Sequence, residues 1–272
     1  MTDRPAAIVT AAGQGIGAAI ARDLHRRGYR LALMSPSTRS IELADELGGV
    51  GLQGSVTEPA DIERLVEAAT GAYGRIDAVV NNTGFEKWSV GLESKQPYFN
   101  PDAKAHLLDI PDEDWHENLD LFVLNVVRMA RAMTPHFREH GGGAFVNISA
   151  SCAIEPQSEY PFSSSTRAAL SSFTRLYSDK YARHNIRMNT ILVGYVENVG
   201  DAETYSHLPM QRAASFEEIA RNCALFLSEE TSYVTGESIY ADGGHHRALL
   251  APSRQDHPSR LTRGGIREKA SG

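Results

Sequence analysis

The stretch from Ala6 to Ile20 limits what this chain can fold into more than any other. A short apolar, partly β-branched run, Ala6-Ala7-Ile8-Val9-Thr10, passes through Ala11-Ala12-Gly13-Gln14-Gly15-Ile16-Gly17 into an Ala-rich amphipathic segment. That order predicts a strand, a tight turn and a helix N-terminus. Glycines at the turn let backbone approach a phosphate, and the free N–H groups and dipole of the helix start favour an anion. The spacing Gly13-x-Gly15-x-Gly17 differs from G-x-G-x-x-G, so a turn that binds nothing is the competing reading.

The rest of the chain repeats the alternation of strand and helix. Ile16, Ile20 and Leu24 share one helix face, closed by Gly28. Strands are predicted at Leu31–Met34, Val50–Gln53, Ile76–Val80, Ala144–Ser149, Arg187–Val193 and Ser238–Ala241. Helices are predicted at Ile41–Leu47, from Pro59 to about Tyr73, at Asp112–His140 and at Ser163–His184. A Ser215-x-x-Glu218 capping box opens another helix through Leu227. Seven strands alternating with helices imply an α/β fold, a doubly wound Rossmann-type parallel sheet in one domain over residues 1–250. Periodicity is lost from Phe85 to Pro111, which is expected to be a surface insertion or lid whose Trp88, Tyr98 and Phe99 cover a substrate. Residues 251–272 are expected to form a polar tail.

Composition narrows the function classes. A formal net charge of −7 without a clustered basic face argues against nucleic acid. No apolar run reaches the roughly 18 residues that span a bilayer, so no membrane role is expected. Two cysteines, Cys152 and Cys223, with no metal-ligand spacing, suggest a reducing, cytoplasmic setting and no metal. His245 and His246 are adjacent, so their side chains diverge and a metal site there is not expected.

Five segments together resemble the short-chain dehydrogenase/reductase family over roughly residues 5–247: Thr10–Gly17, Asn81-Asn82-Thr83-Gly84, Arg167-Ala168-Ala169-Leu170, Val193-Gly194-Tyr195-Val196 and Asp242-Gly243-Gly244. The resemblance implies that a nicotinamide cofactor is held by Thr10, Ala11, Gly13, Gly15, Ile16 and Gly17 of the loop. It further implies Ser55 and Val56 at the adenine, Arg167 at the nicotinamide ribose, and Asn82, Thr83, Gly84, Gly194 and Val196 as further cofactor-binding residues. Ser35, rather than an acidic residue, ends the second predicted strand, and Arg39 follows it. Hydroxyls and a guanidinium suit a 2′-phosphate better than a diol, so NADP(H) is favoured and NAD(H) is possible. The family's two long helices form its dimer face, which implies a homodimer or homotetramer through 112–140 and 163–184.

The resemblance breaks at the catalytic centre. Members transfer protons with a Ser, a Tyr and a Lys, helped by a helix Asn. Aligned here, those positions are Ala150, Ser163, Arg167 and Phe122. A Ser hydroxyl is not acidic near neutral pH, and an Arg does not deprotonate. In one surviving reading Tyr160, seven residues before Arg167, is the hydroxyl donor, in the manner of the enoyl-thioester reductase branch. The catalytic candidates are then Tyr160, Ser163 and Arg167, acting on a small carbonyl or activated alkene. In the other reading the scaffold is a nucleotide-binding pseudoenzyme or regulatory subunit without redox turnover.

Overall fold

Alternation within the first strand determines where the core lies. In the computed structural model, β1 (Ala6–Thr10) sends Ala6 and Ile8 to one side and Ala7 and Val9 to the other, and all four are fully buried. A strand apolar on both faces belongs in the centre of a covered parallel sheet. The structure describes residues 4–83, 107–157, 160–199, 202–206 and 208–250.

Six further strands join β1: β2 (Arg30–Ser35), β3 (Val50–Gln53), β4 (Ala78–Asn81), β5 (Gly143–Ala150), β6 (Ile186–Val193) and β7 (Ser238–Ala241). Every pair is parallel and the order is β3-β2-β1-β4-β5-β6-β7. The chain therefore reverses direction across the sheet between β1 and β4, where a crevice opens at the carboxyl ends of the strands.

Helices α1 (Gly15–Arg26) and α8 (Phe216–Leu227) cover one face, with Ile20, Leu24, Ile219 and Phe226 meeting Val9, Leu33 and Ile191. Helices α3 (Pro59–Tyr73), α5 (Asn125–Glu139) and α6 (Pro161–Tyr181) cover the other, with Ile62, Leu65, Met133 and Phe137 against Ile8, Met34 and Phe145. Burying each such side chain stabilises the fold by about 1.5–3 kcal/mol. The remaining helices are α2 (Arg39–Leu47), α4 (Asp112–Leu119), α7 (Ala202–Ser206) and α9 (His245–Leu250).

The helix predicted over 112–140 is not uniform. Between α4 and α5 the backbone widens into a π turn over Asp120–Leu124, which periodicity does not reveal. The predicted capping box is present: the Ser215 hydroxyl accepts the Glu218 N–H at 3.2 Å and the Glu218 carboxylate accepts the Ser215 N–H at 2.9 Å. Both cysteines are buried and neither is in a disulfide. Among the described residues no helix is long and apolar enough to cross a membrane, and no group of three or more metal-ligating side chains gathers. Nearly all of the segment expected to be a lid, and the whole tail after residue 250, lie outside the described residues.

Candidate functional site

The crevice at the switch point is one cavity of about 1180 Å³, running from the β1–α1 turn past the end of β5 to the start of α9. Its two halves are built differently.

In the first half the turn is tied to its neighbours. The Thr10 hydroxyl donates to the Asn82 carbonyl at 2.7 Å and accepts the Asn82 N–H at 3.0 Å. The Asn82 amide donates to the Ala11 carbonyl at 3.3 Å. Thr10 thus clamps the ends of β1 and β4 together from behind the cavity. Gly17 also sits behind it: a Cβ there would lie 2.3 Å from the Ala11 carbonyl oxygen, so helix–turn packing requires this glycine. Gly15 takes φ +55°, and Ala11 is held at φ +46°, a left-handed conformation that costs a non-glycine residue roughly 1–2 kcal/mol.

Ala11, Gly13, Gly15 and Ile16 line the cavity, as do Ser35 and Arg39. The Ser35 hydroxyl donates to the Ser37 carbonyl at 2.9 Å, and the exposed Arg39 guanidinium is hydrogen-bonded to the Gln14 side chain. Ser55 and Val56 line the next stretch; the Ser55 N–H is held by the Asp61 carboxylate at 2.8 Å. Arg64 and that N–H keep the Asp61 carboxyl below the usual carboxylate range. Asn82 and Thr83 complete this wall, while Gly84 lies outside the described residues.

In the second half, β5, a short turn at Ser151–Ala153 and the start of α6 bring Ala150, Tyr160, Ser163 and Arg167 to the cavity, with Gly194 and Val196 opposite. Tyr160 occupies the N-cap of α6, with Pro161 in the first turn. Ser163 and Arg167 are each 9% exposed and lie on one helix face, four residues apart. Arg167 donates to the Ile148 carbonyl at 3.1 Å, and its guanidinium lies 4.1 Å over the Phe122 ring. Phe122 is 2% exposed, sits in the π turn, and does not line the cavity. Phe122 and Arg167 therefore form one physical unit, a guanidinium held over an aromatic face.

Beneath this half runs a polar ladder that sequence reasoning missed. Asn81 donates to Asn147 at 2.8 Å, Asn147 to Thr174 at 3.1 Å, and Thr174 is 2.9 Å from Thr190. Strand register explains it, because Asn81, Asn147 and Thr190 are partners across β4, β5 and β6.

Four residues of the cavity wall carry a buried side-chain atom without a hydrogen-bond partner: Thr83 Oγ1, Asn118 Oδ1, Ser149 Oγ and His245 Nδ1. Leaving such an atom unpaired costs about 1–3 kcal/mol. Asn118 had no signal in the sequence. It lies one helical turn before Phe122 and donates its own amide to the Asp114 carbonyl at 2.8 Å. His245 had been considered only as a metal ligand. Burial, partly offset by Asp242, pushes its imidazole below the ordinary histidine value.

The donor set fits a dinucleotide. The α1 N-terminus and Gly13–Ile16 backbone offer an anion site, Arg39 a cation at the outer end, and Thr83, Ser149 and Arg167 polar groups at the inner end.

Comparison with known proteins places this geometry. A family model described as Enoyl-(Acyl carrier protein) reductase matches residues 10–246. Dehydrogenase/reductase SDR family member 4 of Oryctolagus cuniculus is 29% identical over 264 residues, covering 91% of this chain and 94% of its own. The 3-oxoacyl-(acyl-carrier-protein) reductase FabG of Escherichia coli is 26% identical, covering 88% and 96%. The crystal structure of L-sorbose reductase from Gluconobacter frateurii, complexed with NADPH and L-sorbose, superposes with a TM-score of 0.76 at 27% identity, covering 88% of this chain and 95% of that one.

Proposed function

The chain belongs to the short-chain dehydrogenase/reductase family of oxidoreductases, and we propose that it reduces a small carbonyl or an activated alkene with NADP(H), through a centre that differs from the family's. The observation that carries this reading is that one cavity joins the glycine turn after β1 to Tyr160, Ser163 and Arg167.

Bound there, the reduced nicotinamide supplies a hydride. The protein's part is positioning and charge. Gly13, Gly15 and Ile16 would present backbone N–H groups to the diphosphate, with Thr10 and Gly17 fixing the turn behind them. Ser35 and Arg39 would hold the ribose 2′-phosphate, Ser55 and Val56 the adenine, and Gly194 and Val196 the nicotinamide. Arg167, clamped between the Phe122 ring and the Ile148 carbonyl, is a fixed cation beside the nicotinamide ribose and cannot relay protons. The Tyr160 hydroxyl donates to the substrate oxygen where negative charge develops, with Ser163 orienting that oxygen.

The stack of Arg167 on Phe122 and the alanine at position 150 favour one rival, a nucleotide-binding protein without turnover. Titration with NADPH and NADH, followed by nicotinamide fluorescence, separates the readings. We expect binding with NADPH preferred, the preference falling about tenfold in Arg39→Ala as one charge-assisted contact is lost. A panel of ketones and enoyl thioesters then tests turnover. Binding without turnover would favour the rival, and no binding of either nucleotide would sink both.

Assembly follows the same reading. We propose a homodimer or homotetramer through α4, α5 and α6, where the apolar Leu176 is 68% exposed.

A further inference from the structure

The reduction proposed above needs a proton as well as a hydride; none of Ala150, Ser163, Arg167 and Phe122 titrates near neutral pH, and a tyrosine hydroxyl such as that of Tyr160 ordinarily does so only at about pH 10. Among the described cavity-lining residues, His245 is the only group whose ordinary pKa lies near neutrality. Its position is built by the fold. Gly243 and Gly244, at φ +62° and +85°, turn the chain sharply after β7, and the ring of His245 comes to 5.2 Å from the Tyr195 ring. The two loops are in backbone contact, since a Cβ on Gly194 would lie 2.7 Å from the Asp242 Cα.

Strand register sets the end of β7 on the same edge of the sheet as the end of β5. Ala150 pairs with Val193, and Val193 pairs with Ala241. Ala150 and Ala241 are thus two strand spacings apart, about 10 Å, at the same edge of the sheet.

The two neighbouring histidines have opposite circumstances. His246 is committed: its Nδ1 is 2.9 Å from the Asp242 carboxylate and its ring stacks on Tyr240 at 3.8 Å. His245 is half-buried on the cavity wall with Nδ1 unpaired. Asp242, His246 and Tyr195 are the titratable groups around it; Asp242 favours its charged form, while His246 and burial disfavour it.

We propose that His245 is the proton donor of this cavity, a catalytic residue standing in for the family's Tyr, with Tyr160 hydrogen-bonding the same substrate oxygen. In the reduction of a ketone, the carbonyl carbon takes a hydride from reduced nicotinamide and the C=O π pair moves onto oxygen. The His245 N–H bond breaks as the new O–H bond forms. The products are an alcohol, oxidised nicotinamide and neutral imidazole. In the opposite direction the neutral imidazole accepts the proton.

This rests on the oxidoreductase reading, and the test keeps the two apart. His245→Gln and His245→Phe are compared with the wild type for NADPH affinity by fluorescence, for kcat/KM against pH, and for histidine NMR titration of the free protein. We expect affinity to be kept and kcat/KM for reduction to fall about a hundredfold. The wild-type rate falls as pH rises through a value below the ordinary histidine range, because the donor must be protonated, and both variants lose that limb. The His245 resonances titrate over the same range and shift when NADPH binds. Wild-type rate and pH profile in His245→Gln would overturn the assignment while leaving the oxidoreductase reading intact. In a protein that binds NADPH but reduces nothing in the panel, imidazole resonances that neither titrate nor shift would overturn it. Failure of the wild type to bind NADPH would remove the reading itself.

Discussion

The two halves of the cavity spend their polar groups differently. In the nucleotide half, Thr10, Asn82, Ser35, Arg39 and Ser55 are all hydrogen-bonded to nearby protein. That half is preorganised, and its side chains mostly shape a backbone surface. Buried atoms without a hydrogen-bond partner are carried by Asn118, Ser149 and His245 in the reaction half, and by Thr83 on the wall of the other. The lesson is that a phosphate is held by N–H groups that any tight turn of this shape supplies, so the turn tolerates a change such as Ala11. Proton transfer needs particular side chains at particular atoms, so a change there alters the chemistry.

The comparison would be broken most forcefully at Tyr160. If the reaction half depends on a hydroxyl donor there, Tyr160→Phe lowers kcat by about a hundredfold and leaves NADPH affinity unchanged. A parallel loss of affinity in fluorescence titration would mean that the halves are not separable. Next comes the stacked pair. Arg167→Lys loses the guanidinium contact over Phe122, and denaturant unfolding is expected to show a loss of about 1–2 kcal/mol. In Phe122→Leu the same exchange is expected to cost markedly less, a coupling that a double-mutant cycle measures.

Smaller effects sharpen the picture of the nucleotide half. Ala11→Gly relieves a residue held at φ +46° and is expected to stabilise the fold by about 1 kcal/mol, read as a raised Tm. An unchanged or lowered Tm would mean that the extra freedom of glycine in the unfolded chain offsets the relief. The smallest effect is at the α8 cap, which sets Phe216 against Gly15 on the cavity wall. The Arg212 ion pair and the Ser215 N–H hold the Glu218 carboxyl at about 2, below its ordinary value of 4.5. Because the folded value is depressed, the contribution is present above pH 4.5 and is lost as pH falls toward 2. With Glu218 a third exposed, we expect only about 0.5 kcal/mol, measured as the difference between wild type and Glu218→Gln in unfolding at pH 7 and at pH 3.

Much of this architecture was legible in the chain itself. Apolar runs of period two and faces of period 3.6 locate the strands and most helices, because local burial patterns follow local geometry. The Ser215-x-x-Glu218 box is visible for the same reason: both of its hydrogen bonds form within one turn. The π turn at Asp120–Leu124 was not visible, since one extra residue in a helical turn leaves the apolar pattern almost unchanged. Nor was the ladder from Asn81 to Thr190, whose members are scattered over four elements and meet only through strand register.

The sequence by itself determined the parallel, doubly wound sheet and the glycine turn at its centre. These depend on short-range periodicity and on residue identity at motif positions. Only the tertiary structure decided that Gly17 serves packing, that Phe122 and Arg167 form one stacked unit, and that His245 faces the cavity while His246 is bound to Asp242. Those outcomes depend on contacts between residues far apart in the chain, or on which way a sharp turn aims neighbouring side chains, and neither is encoded in spacing alone.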